Sequence, residues 1–390
     1  MIESPLMDKL IWLSIIAFLA AMIFSIAIVQ ILVGVMTTLW LIKIILIPGH
    51  KFIATQFDAP VLIFVAARVL SVFFSVDLST SLPALYKEIP FYILFFAITN
   101  NISVLNKEKV KKLIWILIIS GCIAALYGSA KVLFGFEERA SSTTSGYSTL
   151  GMFLAVMISF TLWIGRNEEF FPARWIWSLS LLIMGSGLLL TFNRTHWGVV
   201  GVILLIVGLF KERIALLVTL GLGGLAIVFV PGVSERFYQM IHFLEYTSGR
   251  NIIWQGAFML FASHPVFGFG PRTFEEIFPL YNQLEDKLIA SWHNDYLQLY
   301  MESGIFGLIG FLWLIIAIYY FGAKVARQKK IDPFYKDITI AILLGMTAFF
   351  LTGLVGGFII DPITSLLFRF LLALLALISI LHLKQKEVNE

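Results

Sequence analysis

An all-α, polytopic membrane protein with about twelve spanning helices is the fold this sequence predicts. Three observations predict it. The 390 residues are 59% hydrophobic and only 13% charged, with a mean hydropathy of +0.92, whereas a soluble domain carries about 25% charged residues. Apolar runs long enough to cross about 30 Å of hydrocarbon recur along the chain. Basic residues favour every second connection between those runs.

The composition removes the soluble α/β enzyme classes. The net charge of +4 does not imply a nucleic-acid partner, because most of the lysines and arginines mark membrane sidedness. Cys122 is the single cysteine, so no intramolecular disulfide can form. The N-terminal MIESPLMDKL has no basic n-region and no small-residue cleavage site follows it, so the first apolar stretch reads as a retained helix.

The expected spans are 10–25, 27–48, 60–76, 84–100, 111–134, 147–165, 174–192, 196–210, 213–231, 296–322, 337–360 and 363–383. With a cytoplasmic N-terminus, the even-numbered connections are the cytoplasmic ones. They hold Lys51; Lys107, Lys109, Lys111 and Lys112; Arg166 and Arg174; Lys211 and Arg213; and Lys324, Arg327, Lys329, Lys330 and Lys336. Lys384 and Lys386 fall on the same side. The short connections on the other side hold only Lys87, Arg139 and Arg194. The positive-inside rule therefore predicts both termini in the cytoplasm.

This topology divides the chain into helices one to nine over 1–231, one large outer loop over 232–294, and helices ten to twelve over 295–390. The loop is too long for a bare turn and contains an expected helix at 249–263. Ser248 is its expected N-cap and His264-Pro265 its stop. Ile253, Ala257, Leu260 and Phe261 give that helix one apolar face, suited to lie against the bundle or the membrane interface.

Four features on the outer side carry candidate chemistry. The turn TFNRTHW (191–197) puts Arg194 at the membrane boundary on the side where basic residues are scarce; the plainer reading is a snorkelling arginine. In TSGRNIIW (247–254), Arg250 falls in the first turn of the loop helix, where the dipole disfavours a cation. A guanidinium beside free backbone N–H groups suits a phosphate; the alternative is a pair with Glu235 or Glu245. In FGFGPRTF (267–274) a structural turn is the better reading, with Arg272 a secondary candidate for phosphate. The stretch SWHNDYLQLYMESGIFG (291–307) opens a spanning helix with His293 and carries Glu302 into it. Each polar group at membrane depth costs roughly 2.5–3.5 kcal/mol.

Glu302 lies about 13 Å along the helix from His293 and on the opposite face. The two therefore form no local acid–base pair, and Arg68 or Arg369 within the bundle is the expected partner of Glu302. Gly304 and Gly307 are expected to allow close helix approach. Arg194, Arg250 and His293 come from three separate elements that topology places on one face. Two fixed cations suit a diphosphate, and a neutral imidazole acts as a base near neutral pH. No HExxH or Asp-rich motif accompanies them, so no metal and no cofactor are expected.

The pattern H-N-x-x-L-x-x-x-x-E-x-G-x-x-G, here His293 through Gly307, resembles the signature of the O-antigen ligase and polymerase superfamily. Ser248-Gly249-Arg250 followed by Trp254, and then the glycine-rich run ending at Arg272, resemble that family's loop pattern. The turn at Arg194 is similar to its S-R-x-x-W motif, with Asn193 in place of the serine. Motifs cover roughly residues 180–310; the architecture covers the whole chain.

The resemblance implies a metal-independent, inverting glycosyltransferase of the C type (GT-C). It implies transfer of a glycan from undecaprenyl diphosphate to an acceptor at the periplasmic face of the inner membrane. The ligase acceptor is the lipid A–core oligosaccharide. Arg194 and Arg250 would bind the diphosphate, and His293 would lie near the acceptor hydroxyl. A polymerase, which joins lipid-linked repeat units, shares the donor chemistry, and a third kind of relative modifies protein. A transporter or flippase is the reading from a different class, and the one-sided polar cluster argues against it.

Overall fold

The computed structural model describes residues 4–47, 52–101, 106–144, 146–165, 167–211, 213–230, 232–284 and 289–389. Lys51 and Arg166 lie outside the described residues, as do the side chains of Lys384 and Lys386.

All twelve expected spans coincide with helices: α1 (Ser4–Ala21), α2 (Ile26–Leu46), α3 (Asp58–Phe73), α4 (Leu78–Thr99), α5 (Lys107–Leu133), α6 (Tyr147–Ile164), α7 (Arg174–Leu190), α8 (Arg194–Phe210) and α9 (Arg213–Phe229), then, after the long loop, α13 (Asp295–Ala326), α14 (Pro333–Gly353) and α15 (Pro362–Asn389). Seven of these are long and apolar enough to cross a membrane by length and composition, and others are shorter apolar helices. The loop adds α10 (Val233–Ile241), α11 (Arg250–Leu260) and the single turn α12 (Phe274–Ile277). The chain is a polytopic, all-helical membrane protein. α6 and the Pro362–Leu381 part of α15 are buried on nearly every side and form the centre of the bundle.

Several helices begin where a side chain caps them rather than where apolarity begins. Asn106 caps α5 by accepting from the Lys109 backbone N–H at 2.9 Å, so this helix opens four residues before the expected span. Asp332, followed by Pro333, does the same for α14. The expected span 337–360 ends seven residues early, at Gly353. There the buried Asp295 carboxylate accepts from the Phe358 and Ile359 backbone N–H groups at 2.9 and 3.4 Å, which holds the chain in a loop instead.

Interactions between connections sort them into two ends. Lys107 bridges Glu169 and Asp332, and Lys211 donates to the Trp163 carbonyl and faces Asp337; these connections share the lysine-rich end. At the opposite end the long loop bonds to the α3–α4, α7–α8 and α14–α15 connections through Phe269, Gln239, Arg250 and Arg272.

Below that second end lies a fully buried charge cluster. Arg68 of α3 holds Glu88 of α4 bidentately, at 2.7 and 3.2 Å, and Glu302 of α13 at 2.8 Å. Tyr92 and Gln298 donate to the two glutamates at 2.7 and 2.9 Å. Of the two expected partners of Glu302, the structure pairs it with Arg68. Arg369 instead lies among the rings of Phe64, Tyr92 and Phe368.

Gly304 does not serve helix approach. It takes φ +62°, ψ −161° and breaks α13, and a Cβ there would collide with the Val266 carbonyl. The 265–270 segment enters the break: Phe269 and Gly270 N–H donate to the Met301 and Glu302 carbonyls at 2.7 and 3.0 Å, and Ile305 N–H donates to Pro265 at 2.8 Å. Backbone groups freed at membrane depth must find partners, and here a loop supplies them. The glycine-rich FGFG run is thus a structural insert. Close helix approach falls at Gly310, against Phe64 of α3.

Candidate functional site

Four segments build a cavity of about 990 Å³ at the end opposite the lysines. The α7–α8 turn supplies Arg194, the first residue of α8. Phe192 takes φ +50° to reverse the chain, and Asn193 caps α8 by accepting from Thr195 N–H at 3.2 Å.

α11 supplies Arg250. It spans Arg250–Leu260 rather than 249–263, and Ser248 is not its cap. Gly249, at φ +83°, occupies the cap position without a side-chain bond. Ser248 sits at φ +53°, and its hydroxyl accepts from Arg194 Nη2 at 3.1 Å. The helix buries Ile253 and Ala257, while Phe261 stacks on Tyr300 with centroids 4.4 Å apart. This face therefore packs against the start of α13.

His293 stands between two anchors. Trp292 is buried edge-on against Phe274 and Phe278, 4.9 and 5.8 Å between centroids. Asn294 caps α13 through Leu297 N–H at 2.9 Å and donates to the Leu354 carbonyl at 2.7 Å. Held from both sides, His293 takes φ +47°, an uncommon conformation for a residue with a Cβ. Its ring lines the cavity and makes no hydrogen bond among the described residues. Burial and then the Arg250 cation push its pKa below the ordinary value of 6.5, so the imidazole is neutral near pH 7.

Among the described residues, the arginines in the cavity pair with no carboxylate. Arg194 donates to the Gln239 and Tyr246 carbonyls at 3.0 and 3.3 Å. Arg250 donates twice to the Val355 carbonyl, at 3.1 and 2.7 Å, and to Thr247 at 3.4 Å. Neither pairs with Glu235 or Glu245 among the described residues. Burial, and secondly the nearby Arg194 cation, lower the pKa of Arg250.

Two further arginines line the same space. Arg139 lies over the Tyr147 ring, 4.4 Å from its centroid. Arg236 of α10 donates to Gln239 Oε1 at 3.1 Å. Sequence reasoning did not select either as a site residue. The available signal was sidedness, since Arg139 was already one of the few basic residues on the sparse side. Among the described residues no Asp or Glu lines the cavity, and no three His, Cys, Asp or Glu side chains gather as a metal site. Arg272 is elsewhere: it is exposed, outside the cavity lining, and donates to the Ile360 carbonyl at 2.8 Å.

Residues 179–312 match the family model described as O-antigen ligase. Over those residues, about a third of the chain, it is similar to the O-antigen ligase superfamily. A search among curated proteins found no match. The matched residues include Arg194, Arg236, Arg250, Arg272, His293 and Glu302, whereas Arg68, Glu88, Arg139 and the 354–361 loop lie outside them. That similarity supports a membrane-embedded transferase.

Proposed function

We propose that the protein is a metal-independent, inverting glycosyltransferase. It moves O-antigen glycan from undecaprenyl diphosphate to lipid A–core oligosaccharide at the periplasmic face of the inner membrane. In this reading 1–231 and 295–390 are the membrane portions, 232–294 is periplasmic, and the active site opens to the periplasm. The observation that carries it is the cavity: among the described residues it gathers four arginines, no carboxylate and an unbonded, neutral histidine in one space.

Chemically, the acceptor hydroxyl oxygen bonds to the anomeric carbon as that carbon's bond to the diphosphate oxygen breaks. The bonding electron pair leaves with the diphosphate, and the hydroxyl proton passes to His293. Arg194 and Arg250 face the leaving diphosphate. Their present acceptors are neutral carbonyls, so exchanging them for phosphate oxygens gains charge-assisted bonds. Fixed cations at the site of developing charge stabilise the transition state most when their positions are already set. Arg272 serves the site indirectly in this reading, by holding the 354–361 loop whose Val355 carbonyl seats Arg250.

Purified protein in detergent, given the lipid-diphosphate donor and lipid A–core with EDTA present, is expected to form capped core. No transfer without added magnesium or manganese would overturn the metal-independent mechanism. Transfer only to a second lipid-linked unit would make the enzyme a polymerase.

A further inference from the structure

Along the outside of the bundle, an apolar groove of about 800 Å³ runs between α7 and α9. α9 packs on α8 and α10, and the face it turns towards α7 is left uncovered. The groove extends from Arg174 and Arg213 at the lysine-rich end to Leu189 and Ala226 near the opposite end. Its apolar lining is exposed, with Ile214 at 75% and Leu182 at 54%. In a bilayer such a wall is covered by lipid chains.

The mouth adds a charge. Arg174 and Arg213 are each the first residue of their helix, and neither helix has an acidic residue in its first turn. Both guanidiniums are exposed, without a hydrogen-bond or ion-pair partner among the described residues. Lys211 also lines the mouth but is engaged by Trp163 and Asp337. Glu212 lies outside the described residues; counted by sequence, it still leaves the mouth net positive. Helix N-termini favour anions, and basic pockets between spanning helices on the cytoplasmic side take anionic headgroups.

We infer that this groove binds an anionic phospholipid of the cytoplasmic leaflet, its phosphate between Arg174 and Arg213 and an acyl chain along α7 and α9. The assignment of leaflet rests on the positive-inside orientation and not on the transferase reading. The lipid fills the gap that α9 leaves beside α7.

The test is native mass spectrometry of the full-length, delipidated protein with phosphatidylglycerol, phosphatidylethanolamine, inorganic phosphate or undecaprenyl phosphate. Phosphatidylglycerol is expected to be retained in preference to phosphatidylethanolamine. Arg174→Gln with Arg213→Gln is expected to weaken it roughly 30-fold, from about 1 kcal/mol for each basic residue near the membrane surface. A second variant leaves both arginines in place. Gly185 and Gly223 line the groove with open space where a Cβ would stand, so Gly185→Leu with Gly223→Leu fills it and is expected to expel the lipid. Equal retention of the two phospholipids, or unchanged affinity in either double variant, would overturn the proposal. Displacement of phosphatidylglycerol by undecaprenyl phosphate one for one would give the groove to the donor's tail instead. Inorganic phosphate binding as tightly as phosphatidylglycerol would reduce it to an ion site.

Discussion

Two groups of arginines in this protein are treated in opposite ways. Arg68, fully buried among α3, α4 and α13, has a carboxylate on each side, with every glutamate oxygen engaged. Arg139, Arg194, Arg236 and Arg250 share one cavity, and among the described residues they bond or stack only with carbonyls, an amide oxygen, a hydroxyl and a ring. A buried charge without a counter-charge is costly, so the first group is balanced within the fold. The second stands at an open cavity and is left for a ligand to balance. The difference separates charges that hold the structure from charges that recognise a substrate, and each can be broken separately.

The largest effect is expected at His293, the neutral group among the cations. His293→Ala is expected to lower turnover about 10²–10⁴-fold, the usual loss on removing a general base, with donor affinity nearly intact. Turnover and lipid-diphosphate binding on folded, purified protein measure both. Equal loss of binding would move the imidazole into the phosphate site and take the base role from it.

Next comes the balanced group. Glu302→Ala leaves Arg68 short of one carboxylate in the membrane interior, and breaking a buried pair costs about 3–5 kcal/mol. The expected outcome is a large drop in thermal stability in detergent. Whatever fraction remains folded should still bind diphosphate, because Glu302 does not line the cavity. Normal stability together with lost diphosphate binding would reverse the assignment of the two groups.

The sequence made the balanced group legible because an ionisable residue inside an apolar run demands a partner, and few candidates exist: Glu302 called for Arg68 or Arg369, and it found Arg68. The twelve helices were legible for a similar reason, since apolar length is a local property. What escaped was set by contacts distant in the chain. Ser248 has the chemistry of a cap, but Arg194, 54 residues away, takes its hydroxyl. Gly304 looked like a helix-packing glycine because nothing nearby shows that residues 265–270 enter the break. Arg272 was grouped with the phosphate ligands on the strength of its neighbouring glycines; the structure puts it on the Ile360 carbonyl. Arg139 and Arg236 sit in short polar connections with no motif, and only the assembled cavity shows their company.

A smaller effect than either is expected from the unbalanced arginines. Alanine at Arg194 or Arg250 removes charge-assisted hydrogen bonds worth about 1.5–3 kcal/mol. Donor binding should weaken roughly tenfold or more, as calorimetry with the lipid diphosphate would show. Stability should change little, since each arginine now bonds mainly to carbonyls near the surface. Unaltered donor binding in both variants would leave the cavity without its proposed ligand.

The smallest effect links the arginines to the histidine. Burial is the first cause of the lowered His293 pKa and the Arg250 cation the second. A base works in its neutral form, which persists until the pH falls through its pKa. The acid limb of kcat/KM, which reports the free enzyme, is therefore expected below the ordinary histidine value of 6.5. Removing the cation removes only the second cause, so Arg250→Gln should raise the limb towards 6.5 without reaching it. Arg250→Lys keeps the charge but not the two-pronged geometry; it should weaken the donor while leaving the limb in place. Profiles of all three proteins separate charge from shape at one position. A limb that moves down in Arg250→Gln, or moves equally in both variants, would show that the cation beside His293 does not set its protonation.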